Sequence, residues 1–368
     1  MHALGRHPRF RPWSDPQSGV TSWLLDNCFG AVQQHFYYTN PSISRDGRWL
    51  WLTVGHPPGP ARHLAAVCLD PCDPRIVSLP AAQIDEALPG LALDGQGALF
   101  GTDRAVWRAE VDGRMSELWR LPAEWLRGRR LQRLATHLGQ ASDGCLLLDG
   151  ELASHSFIGI ADPRDGSWRV AGEFQQRHNH AQWCPGDPDL FLIAHDQYDD
   201  PMSGQRLHHR LRTIVMDRSG ARYQAINPQF PASPYQGACH EWWSGPASIA
   251  YIDYASGVHE YDLASGATTH VWREPLCHAH SDPDNRRLVA DQSPYLWPDT
   301  PCQVLHYDRV SGRRTAIASA LPPPSGPPNR RGRYHIDPHP QFAGDWIVWT
   351  STNEGRVTVA LTPAAALA

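Results

Sequence analysis

Asp262-Leu263-Ala264-Ser265-Gly266 and Asp308-Arg309-Val310-Ser311-Gly312 are one turn written twice. An aspartate caps the turn through its side chain, and a closing glycine supplies the positive φ that a tight strand connection needs. Related turns lie at Asp70-Pro71-Cys72-Asp73, Val111-Asp112-Gly113, Asp162-Pro163-Arg164-Asp165-Gly166, Asp217-Arg218-Ser219-Gly220 and Asn353-Glu354-Gly355. Their last residues fall 40 to 54 positions apart. Upstream of most of them a polar turn opens a strand of alternating apolar residues. Ser44-Arg45-Asp46-Gly47 precedes Trp49-Leu50-Trp51-Leu52, and Gly344-Asp345 precedes Trp346-Ile347-Val348-Trp349. Period-2 runs rich in Trp, Val, Ile and Tyr read as strands.

Four antiparallel strands per unit at that period predict a propeller blade, and seven units predict an all-β, seven-bladed β-propeller. A β-sandwich array or a β-helix is less favoured, because seven units close a ring whose two ends share a blade. Val20 to Tyr38 is expected to supply the strand that completes the ring with the C-terminal unit. A polar segment, 1–19, would then precede a single propeller domain over 20–368. Short helices are expected only at Ala81 to Leu88 and Pro122 to Arg127.

The composition agrees. With 30 Gly and 33 Pro in 368 residues, turns dominate over long helices, and 41% hydrophobic residues suffice for a large core. A net charge of −5 with no Lys/Arg-rich block argues against nucleic acid as a partner. No apolar run approaches the roughly 18 residues of a membrane span. The first 17 residues hold no apolar leader core, and the eight cysteines lack paired CxxC spacing; together these predict a reduced, cytoplasmic protein.

The 20 histidines are a surplus, and they gather where one blade passes into the next. The clusters are Gln34-His35-Phe36-Tyr37-Tyr38, Arg177-His178-Asn179-His180, Cys239-His240-Glu241-Trp242-Trp243, Cys277-His278-Ala279-His280 and Tyr334-His335-Ile336-Asp337-Pro338-His339. Equivalent positions on successive blades converge on one centre. His278, His335 and His339 are therefore read as nitrogen ligands to a divalent metal, with Asp337, His280 or Tyr334 completing or orienting the set. A structural role, capping turns or bonding backbone carbonyls, is the alternative for any single histidine. His240 is the best general base, because a neutral imidazole works near pH 7 with little tuning. Glu241 would point to the opposite face and be structural. Arg212 is a planar cation suited to a carboxylate, against a surface ion pair as its alternative. Gln34, His35, Tyr37, Arg177, His180, His195 and Trp242 are assigned to substrate binding, although Trp at a strand start is more often core.

These runs resemble the oligogalacturonate lyase family. The resemblance covers roughly residues 20 to 362 in matching order. It is carried by Arg177-His178-Asn179-His180-Ala181-Gln182 through Pro185-Gly186-Asp187-Pro188-Asp189 to His195, by Arg212 ahead of its strand, and by Cys239-His240-Glu241-Trp242-Trp243. His278 ahead of Pro283-Asp284, and Pro338-His339-Pro340, continue it. It implies a seven-bladed propeller lyase with a divalent cation, manganese first and zinc or another transition metal next. His240 matches the base, Arg212 the cation near the reacting uronate, and His278 and His339 two metal ligands. His180 and His195 match polar positions of the same cleft. Where the family has a Gln and a further His upstream of the last ligand, this chain has Tyr334 and Asp337, with His335 between them.

The expected activity is thus metal-dependent β-elimination at a 4-linked uronic acid in an oligosaccharide, giving a 4,5-unsaturated product. A non-catalytic interaction platform, and a metal-dependent propeller hydrolase or isomerase, are the competing classes. Trp-Asp strand ends, the mark of many interaction propellers, do not recur.

Overall fold

The computed structural model describes residues 3–59, 61–84, 95–153, 155–196, 198–199, 202–204, 206–207, 212–226, 239–293, 296–297, 299–322 and 336–367. Seven antiparallel sheets stand around a ring, forming a seven-bladed propeller. Blade 1 is Val32–Gln34, Trp49–Gly55, Arg62–Cys68 and Ile76–Ile84. Blade 2 shows Ala98–Thr102, Ala105–Ala109 and Met115–Arg120. Blade 3 is Leu131–Gln140, Leu146–Leu152, Ser156–Ala161 and Trp168–Phe174. Blade 4 is His178–Cys184, Asp187–His195, Thr213–Asp217 and Tyr223–Ala225, and blade 5 is Cys239–Gly245, Ser248–Asp253, Gly257–Asp262 and Thr268–Arg273. Blade 6 is Ala279–Ser281, Arg287–Asp291, Cys302–Asp308 and Arg314–Leu321. Blade 7 orders Gln341–Ala343, Trp346–Ser351, Thr358–Pro363, Thr21–Leu25 and Phe10–Ser14.

Burial follows from a strand's place in its blade. Trp49–Gly55 and Arg62–Cys68 are buried at every position, because neighbouring blades cover both faces of a middle strand. The outermost strand Ile76–Ile84 alternates instead between exposed and buried residues. The core is accordingly a set of apolar seams between blades rather than one central mass. Leu50, Val67, Val348 and Leu361, for example, join blades 1 and 7.

The predicted turns in blades 1 to 6 join the last two strands of each blade. At Asp308 the carboxylate accepts from the amides of Val310 and Ser311, both at 2.8 Å, and Gly312 takes φ +70°. Asn353-Glu354-Gly355 differs, joining the second and third strands of blade 7. That blade has no covalent third-to-fourth turn, since its fourth strand, Thr21–Leu25, comes from the other end of the chain. Trp23 pairs with Leu361 and Leu24 with Ala360, and the buried hydroxyls of Ser22 and Thr362 lie 2.7 Å apart. The closing strand expected within 20–38 is therefore observed. Phe10–Ser14, within the polar leading segment, adds a fifth strand outside it.

The expected helix over Ala81 to Leu88 is replaced, as far as residue 84, by the outer strand of blade 1, where Gln83 and Ile84 pair with His63 and Arg62. Residues 85–88 lie outside the described set. Pro122 to Arg127 does contain a helix, Ala123–Leu126, ended by Arg127 at φ +47°. Among the described residues no helix is long and apolar enough to cross a membrane.

Candidate active site

The first strands of the blades surround the axis, and three of them reach it with broken backbones. Register shifts interrupt the first strands of blades 3, 4 and 5 between Leu134 and Leu138, Asn179 and Gln182, and Cys239 and Trp242. Inside these bulges Ala135, His180 and His240 take φ of +56°, +57° and +49°, and His339, ahead of blade 7, takes +45°. A left-handed non-glycine residue costs about 1–2 kcal/mol. The bulge turns the strand locally and re-aims the side chain.

Blade 1 contributes by an excursion. Its first strand stops at Gln34, opposite Thr53, and pairing resumes only at the bridge of Ile43 to Leu50. The intervening segment carries Tyr37 and Tyr38 to the axis. His35 fastens it to blade 7, with Nδ1 2.9 Å from the Thr350 hydroxyl and Nε2 2.7 Å from the His339 carbonyl. The Tyr37 ring then lies 5.1 to 6.0 Å from the rings of His137, His180, His278 and His339. Tyr38 lies 6.1 Å from His240 and 5.6 Å from His278.

On the blade 6 and 7 side, the His278 ring is 4.1 Å from both His240 and His339. The buried Asp291 organises this group. It accepts from the His278 amide at 2.9 Å and the His339 amide at 2.8 Å, and its oxygens lie 3.0 and 3.1 Å from His278 Nδ1. Nδ1–H therefore donates to Asp291 and Nε2 is the basic nitrogen. Ligand atoms of His278, Asp337 and His339 come within 4.8 Å of one another, as do those of His240, Cys277 and His278. Asp337 accepts from the Ser293 hydroxyl at 2.8 Å. Two imidazoles and a carboxylate make a mixed nitrogen and oxygen set, and a carboxylate on Nδ1 of a ligand histidine is the usual support of a metal site. The residues fit a divalent transition metal.

His240 Nδ1 donates to the Cys277 carbonyl, which leaves Nε2 as the basic nitrogen. Burial, then the neighbouring His278, push the His240 pKa well below its ordinary value, so the ring is neutral.

Beside it lies a buried ion network. Arg212, 4% exposed, donates from Nε to Glu241 at 3.1 Å and from a terminal nitrogen to Asp196 at 2.8 Å. His180 Nδ1 stands 2.9 Å from the other terminal nitrogen and 3.1 Å from Glu241. Burial would raise Glu241, but Arg212 and His180 outweigh it and hold the acid down at about 2. Arg212 is thus a fixed, counterbalanced cation and not a surface ion pair.

Of the sequence-predicted residues, the structure brings together Tyr37, His180, Arg212, His240, His278 and His339. Trp242 is corrected to a core residue: it is 2% exposed, packed between blades 5 and 6, with Nε1 donating to Ser281. His35 and Gln34 are buried supports, with both His35 nitrogens engaged as above. His195 stacks on His178 at 4.4 Å, and its amide donates to the Arg212 carbonyl. Arg177 is at the rim, 2.8 Å from Glu151 and 3.6 Å from Asp196. His335 and Tyr334 lie outside the described residues. Sequence reading overlooked His137, Asp149 and Asp291, placed Asp196 beside His195 at a strand end without a role, and took Glu241 out of the site. One signal was available: His278 and Asp291 are 13 positions apart across a first-to-second strand connection, and His137 and Asp149 are 12 apart in the same way.

Neither a family model nor a curated protein sequence matches this chain. Solved structures do. An oligogalacturonate lyase in complex with manganese superposes with a TM-score of 0.75 at 16% identity, over 98% of this chain and 97% of the other. An oligogalacturonate lyase from Vibrio parahaemolyticus gives 0.74 at 15% identity, over 96% of each chain. The chain therefore has, from end to end, the seven-bladed propeller fold seen in oligogalacturonate lyases.

Proposed function

We propose that the protein is a metal-dependent lyase that cleaves 4-linked uronic acid residues in oligogalacturonate-like oligosaccharides by β-elimination. One observation carries the reading: a neutral, oriented His240 stands 4.1 Å from His278, within a metal-competent group, at the axis of this fold.

The C5 hydrogen of a uronate is acidic because it is α to the carboxylate. His240 Nε2 removes it, while the Nδ1–H bond to Cys277 keeps the ring in the tautomer that can accept. His278, Asp337 and His339 would hold a divalent cation. Such a cation, when bound, neutralises the substrate carboxylate and increases the acidity of C5–H. Arg212, fixed by Glu241 and Asp196, adds a preorganised positive field that costs no reorientation during reaction. Tyr37 and Tyr38 fill the axis and keep bulk water from the base.

The test is ultraviolet absorbance during incubation with galacturonate oligosaccharides, with and without chelator. The wild-type protein should give a rising conjugated-alkene band that chelator abolishes. His240→Ala should lower the rate by on the order of 100- to 10,000-fold with melting temperature and metal content unchanged. Near-normal elimination by that variant would reject His240 as the base, and saturated products would replace the lyase reading with hydrolysis or isomerisation.

A further inference from the structure

One histidine at the axis is used neither as the base nor in the metal group. His137 is buried on the first strand of blade 3, and its amide donates to Asp149 at 2.7 Å while Nδ1 lies 2.9 Å from the same carboxylate. His278 is wired to Asp291 in the same two ways, through the amide and through Nδ1. Blades 3 and 6 thus carry the same His–Asp device, and Tyr37 contacts both imidazoles, at 5.9 and 6.0 Å. The His180 amide also stands 3.2 Å from His137 Nδ1, but the Asp149 carboxylate is the stronger partner for a ring N–H. Nε2 is then the nitrogen that can exchange a proton with a ligand.

The device in blade 6 belongs to a metal-competent group. That in blade 3 does not: among the described residues, groups of three or more ligand atoms form only around His278. Beside His137 stand the His180 ring, at 4.4 Å, and a carboxylate to balance a positive charge. Those are the attributes of an acid catalyst. The substrate chemistry asks for one. In a galacturonate both C4–O4 and C5–H are axial and point to opposite faces of the ring, so a base on one face cannot protonate O4 on the other. His240 stands on blade 5 and His137 on blade 3, with His180 of blade 4 and Tyr37 between them.

We propose that His137, held and charge-balanced by Asp149, donates the proton to the departing O4, on the face opposite His240. This inference rests on the lyase reading above. The C5–H electrons form the C4–C5 double bond as the C4–O4 bond breaks. O4 keeps that electron pair and takes the proton from His137 Nε2. His240 ends protonated and His137 neutral, and exchange with water resets both without any further reactant.

The experiment compares two substrates in the intact, metal-loaded protein. One is a galacturonate dimer, whose sugar leaving group needs a proton; the other is a galacturonate bearing 4-nitrophenoxide at C4, which leaves without one. His137→Asn should lower turnover of the dimer by on the order of 100-fold or more and that of the aryl substrate by less than about threefold. Asp149→Asn should shift the same ratio in the same direction by less, and serves alone should His137→Asn fail to fold. Metal content and melting temperature of each variant should match the wild type. Equal losses on both substrates would overturn the proposal, reducing His137 to a positioning residue. A leaving-group effect in Tyr37→Phe with none in His137→Asn would overturn it in favour of the tyrosine. If the wild type eliminated neither substrate, the lyase reading itself would fail, which is separable because no variant is needed to see it.

Discussion

At the scale of single residues, the site is a set of histidines aimed by carboxylates. Asp291 fixes the ring of His278 and the backbone of His339 together, so one side chain sets the relation between two prospective ligands. Asp291→Asn keeps the shape but loses the charge that makes Nε2 a strong donor. We expect divalent-cation affinity to fall roughly 10- to 100-fold, read by calorimetric titration of manganese into metal-stripped protein. An unchanged affinity would mean that the metal, if bound, sits elsewhere. The histidines of the clustered runs were legible in the sequence, whereas His137, which stands alone, was not. The carboxylates were not: Asp196 and Asp291 stand at or beside the ends of second strands, where a lone aspartate looks like any turn residue, and Asp149 is a single aspartate in the middle of one. Trp242 was misread for a related reason. In a bulged strand, alternation no longer tells which face a side chain takes, and the register shift after Cys239 sends His240 inward and Trp242 into the seam.

At the scale of elements, the repeat of Asp-to-Gly turns was sufficient to count blades, because each turn's chemistry is local. What it left out depends on pairing partners. Asn353-Glu354-Gly355 carries a related pattern but joins a different pair of strands, and Gln83 and Ile84 are extended because Arg62 and His63 offer them hydrogen-bond partners. The strand Thr21–Leu25 is the element on which the ring depends. It covers the edge of Thr358–Pro363 and brings the fully buried Leu25 to the seam of blades 1 and 7. Deleting residues through Leu25 should therefore leave blade 7 with three strands and an open edge. We expect such a protein to lose cooperative thermal unfolding and to associate in a concentration-dependent way, checked by calorimetry and light scattering. A truncated chain that melted cooperatively as a monomer would show that the seam closes without this strand.

At the scale of the whole molecule, the propeller buries histidines far from the site as well as at it. His306, on the third strand of blade 6, is fully buried, and neither of its ring nitrogens is hydrogen-bonded among the described residues. Burial, then Arg287, lower its pKa to about 4; burial, then the stacked His270, lower His259 to about 4 as well. Both folded values lie below the roughly 6.5 of a free histidine. The unfolded chain therefore binds protons between about 6.5 and 4 that the folded molecule refuses. These groups leave stability at its full value above about pH 6.5 and reduce it as pH falls towards 4. The urea midpoint should accordingly drop between about pH 7.5 and 5, and His306→Met should lessen that drop. A midpoint that stayed level, or a drop of unchanged size in the variant, would remove His306 from the acid response.

The join in blade 7 also fixes an order in time. Ser22 and Thr362 touch across 340 positions of chain. At about 5–20 residues per second, the ribosome delivers the second partner on the order of 20 to 70 s after the first. Throughout that interval the two leading strands have no third strand to pair with, and the blades made between can stack only as an open arc. The leading hairpin must stay soluble while it waits. Its outer strand, Phe10–Ser14, carries Arg11 and Pro12, a charge and a residue with no amide proton, both of which discourage pairing with a passing edge. This outer strand is in that sense a guard for the nascent protein, which must keep one half of a clasp open until the other has been made.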